Sequence, residues 1–123
     1  LEYRTASVVN GILYVVGGGV VEAYDPASGT WTMKTPMPTA GNNAVAGVLN
    51  DTLYVVGGYV GATATILTTV EAYDPVKNSW TTQARTPTAR YGAAAGIING
   101  ILHVAGGFDT NGTALRVVEA YQR

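Results

Sequence analysis

The side chains of this chain that could carry chemistry are few and lie far apart in the sequence. His103 is the one histidine among 123 residues, and cysteine is absent. A metal centre needs several converging ligands of the histidine, thiolate or carboxylate type. The sequence therefore predicts no metal site, and the chain has no thiol with which to form a disulfide.

The carboxylates and hydroxyls give equally little support for catalysis. The sequence Glu-Ala-Tyr occurs three times, and in two of the copies an aspartate follows the tyrosine. The carboxylates at these matching repeat positions are Glu22, Glu71, Glu119, Asp25 and Asp74. Acid–base catalysis usually needs two carboxyls whose pKa values are driven apart by different surroundings, so matching settings favour roles in turns and at strand edges. Ser7, Ser28 and Ser79 have no nearby histidine and no nucleophile-elbow context. We predict no catalytic residue, no cofactor and no enzymatic activity.

The composition narrows the class of partner. Charged residues make up 12% of the chain against 47% hydrophobic residues, and the net charge is −1. No basic patch is present to neutralise phosphates, so the sequence predicts no nucleic-acid partner. No apolar run reaches the ~20 residues of a membrane span. So few charges indicate that most strand faces are covered, within the chain or by a partner.

The chain is built from three copies of one unit. A segment of the type Asn-Gly-Ile-Leu-Tyr-Val-Val-Gly-Gly occurs at 10–18, 50–58 and 99–107. Its tyrosine, Tyr14 and Tyr54, is His103 in the third copy, which predicts a structural role for that histidine. A Val-Glu-Ala-Tyr block follows each segment, and a tryptophan stands seven residues after the tyrosine of that block in two copies, at Trp31 and Trp80. Self-similarity at a period of 40 to 49 residues indicates a repeat architecture.

Each unit predicts four β-strands. Small apolar residues at 5–9, 44–49 and 93–98 form the first strand, and Asn-Gly or Asn-Asp then supplies the positive φ of a type I′ hairpin turn. The second strand, at 12–16, 52–56 and 101–105, is apolar on both faces and ends in Gly-Gly. The third carries Val-Glu-Ala-Tyr, and the fourth begins near Trp31 or Trp80. No helical periodicity occurs, so the fold class is all-β.

The order of these features resembles the Kelch motif over nearly the whole chain: Gly-Gly, a tyrosine six to fifteen residues later, and a tryptophan seven residues beyond. The resemblance implies a β-propeller of radial four-stranded antiparallel blades whose first strands line a central channel. It also implies that Tyr24, Tyr73, Trp31 and Trp80 pack between adjacent blades. We divide this single array into blade 1 (1–38), blade 2 (39–87) and an incomplete blade 3 (88–123) without its outer strand.

Three blades are too few for a ring, because propellers close with about 4 to 8. The arc would leave two apolar faces open to water, and open faces of that size usually belong to an interface. We therefore expect a partial propeller that is completed to about six blades by homodimerisation. The alternative is that the chain is a natural or engineered fragment of a longer propeller. The edge at 117–121 of blade 3 is expected to lack a strand partner.

The loops of one face are the predicted binding surface. In a four-stranded meander, the connections at 59–69 and 108–116 emerge on the same side as those at 34–43 and 84–91. Function on such folds lies in loops, and Arg and Tyr are favoured at interfaces. Arg90 has a structural role in many Kelch repeats, so structure and binding stay open for it. The predicted rim contains Tyr59, Arg85, Arg90, Tyr91, Asp109, Asn111 and Arg116.

Two functions remain open at this point. The Kelch resemblance favours a non-enzymatic scaffold or interaction module that associates with itself and takes a protein or glycan ligand on its loop rim. The alternative is part of a carbohydrate-directed enzyme or lectin-like propeller, whose active groups would line the channel mouth. The inner strands are made of Ala, Val and Gly at 44–48 and 93–96, which supports the first function.

Overall fold

A computed structural model describes residues 4–39 and 41–121 of the chain. It confirms the all-β fold class, and among these residues it contains one 3₁₀ turn, at Gly61–Thr63. The strands are β1 (Thr5–Val9), β2 (Ile12–Gly17), β3 (Val20–Asp25), β4 (Thr30–Met33), β5 (Val45–Leu49), β6 (Thr52–Val56), β7 (Tyr59–Val60), β8 (Thr65–Ile66), β9 (Val70–Asp74), β10 (Ser79–Thr82), β11 (Ala94–Ile98), β12 (Ile101–Ala105) and β13 (Val118–Tyr121). No helix in the described ranges is long and apolar enough to cross a bilayer.

Three antiparallel sheets follow one another along the chain. Sheet 1 has the order β1-β2-β3-β4, sheet 2 the order β5-β6-β9-β10, and sheet 3 the order β11-β12-β13. The short strands β7 and β8 form a hairpin of their own inside the long loop of sheet 2. The first strands of the three sheets are neighbours, since β5 contacts both β1 and β11. The array therefore fans outward from its first strands.

The hairpin turns between first and second strands have the backbone that their sequences predict. Both central residues have positive φ at each turn: 50° and 78° at Asn10 and Gly11, 49° and 57° at Asn50 and Asp51, and 52° and 73° at Asn99 and Gly100. Asn, Asp and Gly tolerate this left-handed conformation better than other residues. The turn fixes the register, so that Val9 pairs with Ile12 and the apolar pattern of each strand keeps its face.

Three predicted strand boundaries were wrong by one residue. The first strands of sheets 2 and 3 begin at Val45 and Ala94 rather than at 44 and 93. The second strand of sheet 1 extends to Gly17, because Gly17 pairs with Val20 across a tight turn at Gly18 and Gly19. In the other two sheets a long loop leaves the second strand before such a pair can form.

Two apolar clusters join the sheets. The first lies between sheets 1 and 2, where Val16, Tyr14 and Val21 meet Leu53 and Tyr73, with Met37 of the connecting segment and the half-buried Trp80 packed against them. Tyr73 and Val21 are fully shielded from solvent. The second lies between sheets 2 and 3 and contains Leu49, Tyr54, Val56, Val70, Ala72, Leu102 and Val104. Burial of both faces of sheet 2 is therefore what holds the array together.

The two end sheets each keep one apolar face open. On sheet 1 we call it the leading face, and its exposed members include Val8, Trp31 and Met33, at 59%, 55% and 64% exposure. On sheet 3 we call it the trailing face; there Ile98 and Val118 are exposed, and Ala94, Gly96, Ile98, His103, Ala105 and Val118 line a shallow concavity of about 280 Å³.

Within the chain, one of the two Tyr–Trp pairs packs between blades as expected. Tyr73 and Trp80, with ring centroids 5.1 Å apart, lie between sheets 1 and 2. Tyr24 and Trp31 stack in the same way, with centroids 5.0 Å apart, but on the leading face. Sheet 2 covers the opposite side of sheet 1, so within one chain no sheet lies against Tyr24 and Trp31.

A polar clamp fixes the segment that joins sheets 1 and 2. Trp80 Nε1 donates to the Thr35 carbonyl at 2.9 Å, and the Thr35 hydroxyl donates to the Asn78 carbonyl at 2.7 Å. The side-chain oxygen of Asn78 accepts from the Thr35 amide at 3.0 Å and from the Tyr73 hydroxyl at 2.6 Å. Asn78 Oδ1 thus accepts hydrogen bonds from two donors, one of which is the hydroxyl of the buried Tyr73. Its positive φ of 50° is one that asparagine tolerates.

We expect Asn78→Gly to lower the free energy of unfolding by about 1–3 kcal/mol, because two donors lose their acceptor and one of them is buried. Glycine accepts the same positive φ, so the backbone is preserved. Gly29 stands at the matching position of sheet 1, with φ of 68° and open space around it. Gly29→Asn is therefore the matched control and should change stability by less than about 0.5 kcal/mol. Urea unfolding measures both, and equal losses would contradict the clamp.

Candidate functional site: the loop rim

Backbone hydrogen bonds hold the loop rim together. Each segment that connects two sheets pairs with the long loop of the later sheet. Asn42 and Tyr59 exchange backbone hydrogen bonds of 2.9 and 2.8 Å, and Tyr91 and Phe108 exchange bonds of 3.2 and 2.9 Å. The Gly58 amide also donates to the Arg90 carbonyl at 2.9 Å. An added Cβ at Gly57, which has φ of 69°, would lie 2.5 Å from that carbonyl oxygen. Close backbone approach therefore requires glycine there.

An aromatic row runs along this rim. The ring centroids of Tyr59 and Tyr91 are 5.9 Å apart, and those of Tyr91 and Phe108 are 5.6 Å apart. The planes are tilted by 43° and 35°, within the range of favourable ring pairs. Both tyrosines are half-buried, and Phe108 is 42% exposed. The row thus presents one continuous aromatic surface across sheets 2 and 3.

Phe108 was missing from the residues predicted for the rim. Its signal was present in the repeat, because Phe108 follows Gly-Gly in the third unit as Tyr59 does in the second. The structure brings Tyr59 and Tyr91 together through their ring contact and adds Phe108 at the end of the row. Arg85 is exposed and donates to the Thr68 hydroxyl at 3.3 Å, where the loop of sheet 2 returns to β9.

Asp109 shapes the loop beyond Phe108. One of its carboxylate oxygens accepts from the amides of Asn111 and Thr113, both at 2.9 Å. This is a turn in which an aspartate side chain replaces a backbone acceptor. Asn111 and Arg116 are both exposed in the same loop. Asp109 therefore positions the loop, while Asn111 and Arg116 are accessible on it.

Arg90 does not lie on the accessible part of the rim, and its inclusion there is corrected. The residue is 1% exposed. Nη2 donates to Glu119 at 2.7 Å, and Nη1 donates to the carbonyls of Gly106 and Val117 at 2.8 and 3.0 Å. These contacts tie the segment that enters β11 to the Gly-Gly end of β12 and to the start of β13. The guanidinium serves the packing of sheet 3.

The three repeated glutamates do not form a catalytic pair, and each has a different partner. Glu22 binds Arg4 at 2.7 Å near the surface. Glu119 accepts from Arg90 and from the Thr88 hydroxyl, both at 2.7 Å. Glu71 is 3% exposed and accepts from the Thr39 hydroxyl at 2.9 Å. In the described ranges no three histidine or carboxylate side chains come close enough to hold a metal ion.

Glu71 lacks an arginine because the position of Arg90 is Gly41 in the second unit. A Cβ at Gly41 would lie 2.9 Å from Leu67 Cδ1, so a leucine side chain occupies that space. Burial without a cation raises the pKa of the Glu71 carboxyl, although the hydrogen bonds from Thr39 lower it in part. A perturbed carboxyl in a cleft can mark an active site. Glu71 lies instead at the boundary of sheets 1 and 2, which indicates a structural origin.

The remaining chemistry-bearing residues have local partners. Asp25 accepts from the Ala27 amide at 2.9 Å, and Asp74 accepts from the Val76 amide at 3.0 Å, so both form the predicted turns. Ser28 shares a hydrogen bond of 2.7 Å with Thr30. His103 lies half-buried on the trailing face, where its Nδ1–H donates to the Ile101 carbonyl at 3.0 Å.

The comparison with protein families decides the class of the repeat. The model of the Kelch motif matches residues 2–38 and 40–87, which together cover more than half of the chain. The chain belongs to the Kelch family. Its third unit lies beyond the matched ranges, but sheet 3 repeats the first three strands of sheets 1 and 2 with the same hairpin turn. The protein is thus a partial Kelch propeller of three antiparallel blades.

Two curated Kelch proteins are similar to parts of the chain. Kelch-like ECH-associated protein 1A of Danio rerio is 37% identical over 64 residues, which are 43% of this chain and 11% of that protein. Kelch-like protein 1 of Mus musculus is 46% identical over 43 residues, which are 35% of this chain and 6% of that protein. The chain therefore spans a small part of the length of these relatives.

A solved structure shows the same fold. The structure of YjhT superposes with a TM-score of 0.81 over 89% of this chain and 35% of that one, at 24% sequence identity. An identity this low carries the architecture alone. The chain corresponds to about a third of the length of that protein.

We expect Arg90→Met to lower the free energy of unfolding by about 3–5 kcal/mol, because Glu119 would keep a largely buried charge without its cation. Arg85→Met is the matched control on an exposed arginine and should change stability by less than about 0.5 kcal/mol. Urea unfolding followed by tryptophan fluorescence measures both. If Arg90→Met proves insoluble, Glu119→Gln tests the same pair while leaving Arg90 a neutral hydrogen-bond acceptor. A loss equal to that of the control would show that Arg90 is not a structural residue.

The raised pKa of Glu71 predicts a dependence of stability on pH. Between its ordinary value of 4.5 and the raised value, the folded chain holds a proton that the unfolded chain releases. Stability contributed by this group therefore falls as pH rises through that window and stays low at neutral pH. Glu71→Gln should be more stable than the wild type at pH 7, and the gain should vanish below about pH 4.

The matched control for this pH dependence is Glu22→Gln. It removes an exposed pair with Arg4 and should cost no more than about 1 kcal/mol at pH 7. Chemical unfolding at a series of pH values gives both curves. A Glu71→Gln curve that runs parallel to the wild type at all pH values would contradict the raised pKa.

Proposed function

We propose that this Kelch array is a non-enzymatic interaction module that completes its ring by head-to-tail association of two copies. The observation that carries the proposal is the correspondence of its two open faces to the two sides of an intact boundary. The leading face of one copy would pack on the trailing face of the other, and the same junction would form again on the far side. Two copies contribute six blades, within the range of about 4 to 8 that closes a propeller.

The leading face carries the side chains that sheet 2 uses against sheet 1. Val8, Leu13, Tyr24 and Trp31 occupy the repeat positions of Val48, Leu53, Tyr73 and Trp80. Leu53 and Tyr73 are fully buried in the first cluster, and Val48 and Trp80 pack against it. Of their counterparts on sheet 1, Val8 and Trp31 are 59% and 55% exposed, and Leu13 and Tyr24 are half-buried. The leading face is therefore chemically one half of a boundary.

The trailing face carries the other half. Ile98, His103, Ala105 and Val118 occupy the repeat positions of Val9, Tyr14, Val16 and Val21. Those four residues form the sheet 1 side of the first cluster. In the intact boundary the Tyr14 and Tyr73 rings lie 5.7 Å apart. At the proposed junction His103 of one copy would meet Tyr24 of the other.

A second copy is the occupant of these faces that the proposal commits to. The two faces complement each other by repeat position, so a second copy supplies both halves without a further component. Covering them would remove several large apolar side chains from water at about 25 cal/mol per Å². Further Kelch blades from a different polypeptide would use the same chemistry and are the outcome against which the experiment is set.

The aromatic row supports a ligand-binding surface on the rim. It is also the observation behind the second candidate function, a lectin-like or carbohydrate-directed propeller. Tyr59, Tyr91 and Phe108 offer half-exposed ring faces next to the exposed Asn111 and Arg116. Aromatic rings beside polar groups suit protein and glycan ligands alike. No asymmetric pair of carboxyls accompanies the row among the described residues, so binding is favoured over catalysis.

Sedimentation equilibrium of the chain over a range of concentrations tests the association. We expect a mass of twice 12.7 kDa at micromolar concentration. Trp31→Asp on the leading face and Val118→Asp on the trailing face should each shift the equilibrium to the monomer, because a charge would be buried at both junctions. Val76→Asp is the control, since Val76 is 90% exposed on the hairpin between β9 and β10.

A mixture of the two face variants separates head-to-tail association from other dimers. Trp31→Asp keeps an intact trailing face, and Val118→Asp keeps an intact leading face, so the mixture regains one junction and some dimer. A dimer in which each copy uses the same face would not respond in this way. A folded wild-type chain that stays monomeric at every concentration would overturn the proposal.

A further inference from the structure

Two of the three hairpin turns between first and second strands consist of asparagine followed by glycine. They are Asn10-Gly11 in sheet 1 and Asn99-Gly100 in sheet 3, and all four residues are exposed. The first turn has φ of 50° and 78°, and the second has φ of 52° and 73°. A Cβ built at either glycine would meet no atom within 4 Å. Both turns therefore lie open to water.

The two groups that can react with each other inside these turns are not held by other contacts. Within the described ranges, the amides of Gly11 and Gly100 donate to no other backbone group. The side-chain amides of Asn10 and Asn99 have no protein partner there either. Each glycine nitrogen can therefore lose its proton to solvent, and each asparagine Cγ is accessible to it.

We propose that Asn10 and Asn99 are sites of spontaneous deamidation, at which the turn closes into a cyclic imide and reopens as aspartate or isoaspartate. The deprotonated glycine nitrogen attacks the asparagine Cγ and forms a new C–N bond. The Cγ–Nδ2 bond breaks, and the side-chain nitrogen leaves as ammonia with the proton that glycine lost. Water then opens the five-membered ring at one of its two carbonyl carbons, so water is the one reactant consumed.

The turn conformation is one rotation away from the geometry that ring closure needs. Types I′ and II′ both have positive φ at the first central residue, and both join strands in two-residue hairpins. Rotation of the peptide group between asparagine and glycine converts type I′ into type II′. It brings ψ of the asparagine to about −120° and φ of the glycine to about −80°. The glycine nitrogen then eclipses the asparagine Cβ and lies within reach of Cγ, a placement that favours intramolecular reaction.

Two other asparagines of the chain serve as internal comparisons. Asn50 begins the corresponding turn of sheet 2, with φ of 49°, but Asp51 follows it. The side chain of that aspartate hinders approach of its own nitrogen, and its carboxylate disfavours loss of the amide proton. Asn111 precedes Gly112 in an exposed loop, but the Gly112 amide donates to the Asp109 carbonyl at 3.0 Å. That bond must break before the nitrogen attacks, so both comparison sites should react more slowly.

Deamidation changes the hairpins and leaves the loop rim in place. Isoaspartate carries the main chain through its Cβ and Cγ, which lengthens a two-residue turn by one backbone atom. The strand pairs next to the turns, Val9 with Ile12 and Ile98 with Ile101, are therefore the first to be disturbed. Each event also replaces a neutral amide by a carboxylate. Because the turns lie at the strand ends remote from the loop rim, stability should fall before rim binding does.

Prolonged incubation of the purified 123-residue chain, followed by proteolysis and mass spectrometry, measures deamidation at each site. Isotope-labelled water marks the oxygen introduced during incubation and excludes changes made while the samples are prepared. We expect Asn10 and Asn99 to lose their amides several-fold faster than Asn50 and Asn111 in the folded chain. The rates should rise with pH, because the reacting nitrogen must be deprotonated. In urea Asn111 should approach the rate of the other two Asn-Gly sites, because its protecting hydrogen bond is lost.

An exchange between two turns tests the role of the second turn residue. Gly11→Asp gives sheet 1 the turn of sheet 2 and should slow the reaction at Asn10 several-fold, while Asn99 reacts as before. Asp51→Gly gives sheet 2 an Asn-Gly turn and should raise the rate at Asn50 to near that of Asn99. Asp51 has φ of 57°, a conformation that glycine adopts without strain. Circular dichroism checks that both variants are folded.

Three results would contradict the proposed deamidation sites. They are full retention of the amides of Asn10 and Asn99, a reaction of Asn111 in the folded chain as fast as at those two sites, and an Asp51→Gly chain in which Asn50 stays intact. Each site is measured separately by mass, so none of these results depends on whether two copies associate.

Discussion

The structure depends on one constraint: each sheet of this array is apolar on both faces and needs a neighbour on both sides. Sheet 2 meets that requirement, and its residues Leu53, Tyr54, Val70 and Tyr73 are fully buried. Sheets 1 and 3 meet it on one side only. The same repeat pattern thus produces a core in the middle of the array and exposed apolar faces on its two end sheets. This is the general behaviour of repeat proteins, in which stability resides in the contacts between neighbours.

The two boundaries are closed by different polar chemistry. Between sheets 1 and 2, neutral hydrogen bonds of Asn78 and Trp80 hold the connecting segment at Thr35. Near the boundary of sheets 2 and 3, the ion pair of Arg90 and Glu119 anchors the entry into sheet 3. A buried ion pair depends on both partners far more than a neutral hydrogen bond does. A single repeat has therefore diverged into two boundaries with unequal sensitivity to substitution.

Much of this fold could be predicted from the sequence, because the repeat supplies three independent copies of each signal. The Asn-Gly and Asn-Asp turns and the second strands follow directly from residue type and position. The burial of Arg90 could not be derived in the same way, since it depends on where Glu119 lies, 29 residues away. The aromatic row was found only in part. Its members come from two loops and one connecting segment, and nothing local to Phe108 shows that Tyr91 lies beside it.

The partners of the repeated glutamates also could not be predicted from the local sequence. Glu22, Glu71 and Glu119 are identical in sequence context, yet one has an exposed cation, one a hydroxyl and one a buried guanidinium. Glu71 and Glu119 differ because Gly41 stands four residues before β5, where Arg90 stands four residues before β11. The local sequence specifies a carboxylate at each of these positions, whereas the electrostatic surroundings of that carboxylate depend on the segment that enters the first strand of the same sheet.

The tight turn at Gly18 and Gly19 gives the rim an uneven height. Sheets 2 and 3 carry long loops at the same place, so the loop-bearing surface rises over two thirds of the array and is low over sheet 1. In a ring of two copies this would make two ridges, each followed by a low sector. A ligand lying across the mouth of such a ring would meet a valley with a ridge on either side. An elongated or two-fold symmetric ligand would be more complementary in shape to this surface than a spherical one.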